Sequence, residues 1–160
     1  MTNGLRMLQV GTDSMYATDE SFMARIEPTS NANDAAGSQR RKIKVMVVDD
    51  QQLIADTLAE ILGNAGFDAV AAYDGKEALE LASRFHPDQL LCDVLMPRMN
   101  GVELAIAMRR NYPKATILLF SGQAGISEIL QDGQRQGYEF ELIAKPIHPL
   151  KLIERLKASI

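Results

Sequence analysis

Five polar side chains stand at positions where their types and spacing suggest chemistry. Asp49 and Asp50 follow the run KVMVV (44–48), Asp93 closes QLLCD (89–93), Ser121 follows ATILLF (115–120) and Lys145 follows EFELIA (139–144). The first run is nearly continuously apolar, as in a strand buried on both faces. Adjacent carboxylates repel each other, so a pair at the end of a buried strand is tolerable only if a cation offsets the repulsion. A hard divalent ion such as Mg²⁺, which prefers oxygen ligands, fits that requirement best.

These runs belong to an alternation of strands and helices that begins at Lys44. A weaker strand, AVAAY (69–73), completes a set of five. Helices are predicted around 54–62 and 78–85, and over GVELAIAMRRN (101–111), GISEILQDGQRQG (125–137) and PLKLIERLKASI (149–160). Gly133 weakens the fourth of these, and Leu152, Ile153, Leu156 and Ile160 share one face of the last. The alternation predicts a parallel sheet covered by helices on both faces. Ligands of such sheets bind at the carboxyl ends of the strands, so the five polar side chains should converge on one rim.

Composition limits the class of protein. The 160 residues carry a formal charge of −4 and include one cysteine, and the pI near 5.2 argues against a nucleic-acid module. No run is long and apolar enough for a membrane span, and we expect a reducing, cytoplasmic location. Residues 1–42, with the aperiodic stretch EPTSNANDAAGSQRRK (27–42), predict a disordered or linker-like tail. A short docking segment around MYATDESFMARI (15–26) is the alternative, and Met7, Met15 and Met23 leave the translation start open.

Four motifs resemble the receiver domain of bacterial two-component response regulators. They are VVDDQ (47–51), CDVLMPRMNG (92–101), FSG (120–122) and AKPIHP (144–149), and the resemblance extends over residues 43–160. It implies a flavodoxin-like, doubly wound α/β fold with five parallel strands in the order 2-1-3-4-5 and five helices. No single motif decides the matter, but each one lies at its expected strand end.

The resemblance also implies a role for each polar residue. Asp93 would accept a phosphoryl group from a phosphohistidine. Mg²⁺ would be bound by Asp50, Asp93 and the backbone carbonyl of Leu95, with Asp49 acting mainly through a metal-bound water. Lys145 would pair with Asp93 before transfer and with the phosphoryl oxygens afterwards, and Ser121 would donate a hydrogen bond to a phosphoryl oxygen. A bond like Lys145–Pro146 is typically cis in this family.

The implied partners are a sensor histidine kinase or phosphotransfer protein and a separate downstream output protein. We expect a stand-alone receiver without a DNA-binding domain, which catalyses only its own phosphorylation and dephosphorylation and is otherwise no enzyme. One feature departs from the family pattern. Leu142 occupies the position, three residues before the lysine, where response regulators commonly have Tyr or Phe, and Phe140 and Tyr138 lie further back. We therefore expect activation without an aromatic flip at Leu142.

Other interpretations remain open at this stage. An aspartate-nucleophile phosphatase would need a D-x-D pair with the nucleophile first, whereas this chain has D-D-Q at 49–51. A receiver-like binding module that is not phosphorylated usually lacks one of the acids or the lysine. Asp49 and Asp50 could also merely cap the first helix. Cys92 is predicted to be an inert core thiol, and His86 and His148 are predicted to lie at a helix end and a helix start, respectively.

Overall fold

The structure, a computed structural model, describes residues 40–122 and 124–160. Most of the predicted tail, residues 1–39, lies outside the described residues, and residues 40–42 are exposed and belong to no helix or strand. Residues 42–160 form one unit. Within the described ranges, no helix is both long and apolar enough to cross a membrane.

Five parallel strands form a single sheet. They are β1 (Lys44–Val48), β2 (Asp68–Ala72), β3 (Gln89–Asp93), β4 (Thr116–Ser121) and β5 (Glu141–Ala144). Their order across the sheet is β2-β1-β3-β4-β5, and every neighbouring pair is parallel. The flavodoxin-like fold class and the strand order expected from the resemblance are therefore confirmed. β5 begins two residues later than predicted.

In the part of the chain that the structure describes, four helices connect the strands and a fifth follows β5. They are α1 (Gln52–Asn64), α2 (Gly75–Phe85), α3 (Gly101–Asn111), α4 (Ser127–Arg135) and α5 (Pro149–Ala158). The prediction that Ile160 shares the buried face of α5 is wrong, because the helix ends two residues earlier and Ile160 is exposed. His86 ends α2 in a left-handed conformation with φ 51°. The side chain of His148 accepts a hydrogen bond from the Leu150 N–H at the start of α5.

Two apolar cores lie on opposite faces of the sheet. Alternate side chains of each buried strand point to opposite faces, so Met46, Leu90 and Cys92 pack with α2, α3 and α4. The residues between them, such as Val47 and Leu91, pack with α1 and α5. Burying one such aliphatic side chain stabilises the fold by about 1.5–3 kcal/mol. The described helices thus cover the sheet on both faces.

Helix α5 is fastened to the sheet at several points, which matters because the loop before it carries Lys145. Leu152 and Leu156 are fully buried. The Gln89 side-chain amide donates to the carbonyl oxygen of Leu156 at 2.8 Å, and Arg155 forms an ion pair with Glu141 in β5. These contacts fix the position of the β5–α5 loop relative to the rim of the sheet.

Gly133 has a packing role that its effect on helix propensity did not predict. It is the buried residue of α4, and a Cβ atom added there would lie 2.8 Å from Cγ1 of Val102 in α3. The absence of a side chain therefore lets α4 approach α3 closely. A helical glycine lowers helix stability by about 1 kcal/mol relative to alanine, but a larger residue at position 133 would overlap Val102.

Candidate functional site

Three carboxylates meet at the carboxyl end of the sheet, as the sequence predicts. Asp49 directly follows β1 and is fully buried, Asp50 is exposed beside it, and Asp93 is the last residue of β3 with 8% of its surface exposed. One oxygen from each of the three lies within 4.8 Å of the others. Because β1 and β3 are neighbours in the sheet, their ends bring these acids together. Three converging carboxylate oxygens are a donor set suited to a hard cation.

Lys145 extends from the end of β5 into this acidic cluster. Its ammonium lies 2.9 Å from Oδ2 of Asp49 and 3.5 Å from Oδ1 of Asp93. The expected pairing with Asp93 is therefore present, but the shorter contact is to Asp49. The Lys145–Pro146 peptide bond is cis, as expected. The Lys145 backbone N–H donates to the carbonyl oxygen of Ser121 at 2.9 Å, which ties the lysine to β4.

Ser121 and Leu95 lie at or just after the ends of two neighbouring strands, β4 and β3. Ser121 is the last residue of β4 and is buried. Asp93 is register-paired with Phe120, so Ser121 lies one residue beyond the level of Asp93 on the adjacent strand. Leu95 lies half-buried in the loop that follows β3. The structure thus brings Asp49 and Asp93 into contact with Lys145, with Asp50 beside them, and places Ser121 and Leu95 at or just after the ends of β4 and β3.

Helix capping does not explain the acid pair. The N-cap residue of α1 is Gln51, whose side chain makes no capping hydrogen bond. Oδ1 of Asp49 accepts a hydrogen bond from the Gln51 backbone N–H at 2.9 Å, within the turn that precedes the helix. The other oxygen of Asp49 faces Lys145. Asp49 therefore holds both the turn after β1 and the ammonium.

The loop after Asp93 is held at both of its ends. Asn100 and Glu103 form a reciprocal capping box at the start of α3. Gly101 lies so close to β3 that a Cβ atom there would be 2.1 Å from the carbonyl oxygen of Asp93. On the outer side, Arg98, with φ 68°, forms an ion pair with Asp74 at 3.2 Å. Sequence reasoning missed this ion pair, because it joins two loops that are 24 residues apart.

Burial dominates the electrostatics of the cluster. Burial raises the pKa of the Asp93 carboxyl above its ordinary value; the positive charge of Lys145 opposes this shift, while Asp49 and Asp50 add to it. Burial likewise raises the pKa of the Cys92 thiol well above its ordinary value. A buried thiol with a raised pKa is poorly nucleophilic, in line with the predicted inert core cysteine.

One aromatic residue of the site was missed by sequence reasoning. The ring of Phe120 lies under the Lys145 ammonium, with 4.3 Å between Nζ and the ring centroid. Phe120 immediately precedes Ser121 in β4 and was predicted only as part of an apolar strand. Its pairing with Asp93 in the sheet register is the feature that could have drawn attention to it.

Comparison with known proteins identifies the family. The family model for the response regulator receiver domain matches residues 45–157. The chain belongs to this family. Receiver domains are the phosphoacceptor signalling domains of two-component systems.

Solved structures of other receiver proteins have the same fold. The chemotaxis protein CheY4 of Vibrio cholerae is 31% identical with a TM-score of 0.66, and the match covers 74% of this chain and 99% of that one. The chain in a structure of a two-component transcriptional regulator, AraC, of Clostridium phytofermentans is 32% identical with a TM-score of 0.62, and the match covers 74% of this chain and 92% of that one. NtrX of Brucella abortus is 26% identical with a TM-score of 0.63, and the match spans 72% of this chain but only 26% of NtrX. Receiver folds like this one therefore also occur within much longer chains.

Two aromatic residues, Tyr138 and Phe140, lie just before β5, the strand that contains Leu142. Leu142 lies in β5 with 40% of its surface exposed. Tyr138 and Phe140 precede β5, and their rings stack with centroids 6.1 Å apart. The Arg110 side chain in α3 donates to the Tyr138 hydroxyl at 3.2 Å. Tyr138 thus contacts α3 through Arg110, and the ring of Phe140 stacks against that of Tyr138.

Proposed function

We propose that Asp93 accepts a phosphoryl group from the phosphohistidine of a sensor histidine kinase or phosphotransfer protein. One carboxylate oxygen of Asp93 would form a bond to phosphorus while the bond from phosphorus to the imidazole nitrogen breaks. The imidazole would leave with the electron pair and take up a proton, and Asp93 would become an acyl phosphate. The observation that carries this proposal is the convergence of Asp49, Asp50 and Asp93 with the Lys145 ammonium at one end of the sheet.

The donor set at the rim also fits Mg²⁺. Three carboxylates against one ammonium leave two net negative charges, which repel an anionic phosphodonor, and one divalent cation would bring the local charge to zero. Asp50, Asp93 and the Leu95 carbonyl would hold the ion directly, with Asp49 contributing through water. When bound, the ion would supply charge neutralisation for the transferred group. The exposure of Asp50 leaves that carboxylate accessible from solvent.

Lys145 and Ser121 would act on the phosphoryl group itself. The Lys145 ammonium lies within reach of Asp93 and would contact a phosphoryl oxygen both during transfer and after it. The Ser121 hydroxyl, at the end of the adjacent strand, would donate to another. Contacts that exist only in the phosphorylated form would shift the domain toward a second conformation, which a separate output protein would recognise.

In this proposal the domain changes no external substrate and catalyses only its own phosphorylation and dephosphorylation. That it functions without a DNA-binding domain stays a prediction, since similar folds form part of longer chains such as NtrX. The proposal is tested by incubating the full chain with acetyl phosphate in the presence of Mg²⁺ or of EDTA and measuring the intact mass of the protein. We expect one phosphoryl adduct per chain in Mg²⁺ and none in EDTA.

Variants sharpen that experiment. Asp50→Ala should weaken Mg²⁺ binding and labelling together, whereas Asp68→Ala, which removes an exposed acid at the opposite end of the sheet, should change neither. Steady release of phosphate without an adduct would indicate an aspartate-nucleophile phosphatase. A wild-type chain that neither accepts a phosphoryl group nor responds to Mg²⁺ would instead be a binding module that is not phosphorylated.

A further inference from the structure

The ring of Phe120 lies beneath the ammonium group of Lys145. The Phe120 side chain is 1% exposed and belongs to the core shared with α1 and α5. The Lys145 ammonium lies 4.3 Å from the centroid of its ring and only 2.9 Å from Asp49. Three groups therefore surround the ammonium: the ring below it and the carboxylates of Asp49 and Asp93 beside it.

This geometry restricts a side chain that is otherwise adaptable. A lysine has a flexible four-carbon stem, and its charge can be presented in many directions. The face of an aromatic ring attracts a cation, and the attraction grows when the cation is removed from water. Only 21% of the Lys145 side chain is exposed, so little water competes with the ring. An aliphatic residue at position 120 would fill the same core without attracting the ammonium.

We propose that Phe120 is a positioning residue, which holds the Lys145 ammonium where it reaches the phosphoryl group on Asp93. This inference rests on the proposed phosphorylation of Asp93 and deepens it. The register pairing of Phe120 with Asp93 supports it, because the ring and the acceptor are then fixed on adjacent strands. Phe120 touches neither the donor nor the metal in this account, and its effect passes entirely through Lys145.

The labelling test uses Phe120→Leu and Phe120→Met, of which the second fills more of the space of the ring. We expect either variant to be labelled by acetyl phosphate about threefold to tenfold more slowly than the wild type, the range corresponding to a partly desolvated cation–π contact. The Mg²⁺ concentration for half-maximal labelling should stay within about twofold, since the contact involves no metal ligand. Phe120→Tyr, which keeps the ring, should restore most of the rate.

Two comparisons separate positioning from packing. In a Lys145→Ala background, Phe120→Leu should cause no further loss, because the group through which it acts is gone. Phe67→Leu truncates another buried phenylalanine of the same core, near the opposite end of the sheet, and should leave the rate unchanged. A loss in Phe120→Leu that persists in full without Lys145, or an equal loss in Phe67→Leu, would assign the effect to packing and overturn the proposal.

A second readout does not depend on phosphorylation. A methylene beside an ammonium that lies over a ring is shielded, so the Lys145 ε-protons should resonate upfield of ordinary lysines by NMR, and should return to the ordinary position in Phe120→Leu. An unshielded Lys145 in the wild type would refute the positioning role. A wild type with the shielded signal but no phosphoryl adduct would refute the proposed function alone, and normal labelling of Phe120→Leu would refute this inference alone.

Discussion

Gly101 is the residue at which a single added methyl group should most disturb the loop between β3 and α3. A Cβ atom there would lie 2.1 Å from the carbonyl oxygen of Asp93 and 2.8 Å from Cα of Val94. Both neighbours are backbone atoms, so no side-chain rotation relieves the overlap. The start of α3 or the end of β3 would have to shift by about 1 Å to reach ordinary contact distance.

The magnitude for Gly101→Ala follows from two opposing terms. Overpacking a well-packed site costs about 1–3 kcal/mol, and an alanine in place of glycine returns at most about 1 kcal/mol of helix propensity. Because both overlaps are with backbone atoms, the overpacking cost should lie at the upper end of its range, and we expect the free energy of unfolding to fall by about 2 kcal/mol. With a urea m-value of about 1.5 kcal/mol/M, the unfolding midpoint should drop by roughly 1.3 M.

Gly63→Ala is the matched control. Gly63 lies in α1 with no atom within 4 Å of an added Cβ, so the same substitution should gain about 0.5–1 kcal/mol from propensity alone. Urea unfolding of the two variants and the wild type, followed by circular dichroism, measures both effects. A Gly101→Ala chain as stable as the wild type would refute the reasoning, because it would mean that the close approach to Asp93 is not required.

Three further predictions concern the charged site and the switch. Lys145→Met leaves the fully buried Asp49 without its cation, and should lower the free energy of unfolding by about 3 kcal/mol in EDTA at pH 7, measured by urea unfolding; an unchanged midpoint would contradict this. Burial raises the pKa of Asp93, so its ionisation weakens the folded state as the pH rises through that pKa. Asp93→Asn should therefore be more stable than the wild type at neutral pH in EDTA, and urea midpoints should converge below the ordinary carboxyl pKa of about 3.9; a constant difference would argue against this cause. Structures with and without a phosphoryl mimic should differ near α4 and β5, but no aromatic ring should rotate inward at the position of Leu142. Inward rotation of Phe140 into that position would show the assigned register to be wrong.

The convergence of the site could be predicted from the sequence because strand ends are easy to recognise. Asp49, Asp93 and Lys145 each follow an apolar run, and parallel strands end on the same rim. This prediction required no knowledge of any side-chain contact. The strand order, in contrast, came from the resemblance to receiver domains, because strand ends alone do not show which strands are neighbours in the sheet.

Contacts between side chains distant in sequence could not be predicted in this way. Gly101 and Gly133 each lie so close to another element that a side chain would not fit, and such close approaches appear only once the elements pack together. The ring of Phe120 under Lys145 depends on the height of β5 relative to β4. Helical periodicity also extended α5 as far as Ile160, since an apolar pattern does not show where the last turn ends.

The most direct test of the central claim is the intact mass of the Asp93→Asn chain beside the wild type after treatment with acetyl phosphate and Mg²⁺. Amide and carboxylate are nearly isosteric, so the variant should keep the fold, which a circular dichroism spectrum of the same sample verifies. The account predicts one phosphoryl adduct on the wild type, its absence in EDTA, and no adduct on Asp93→Asn. An adduct at the wild-type level on folded Asp93→Asn would contradict the assignment of Asp93 as the acceptor.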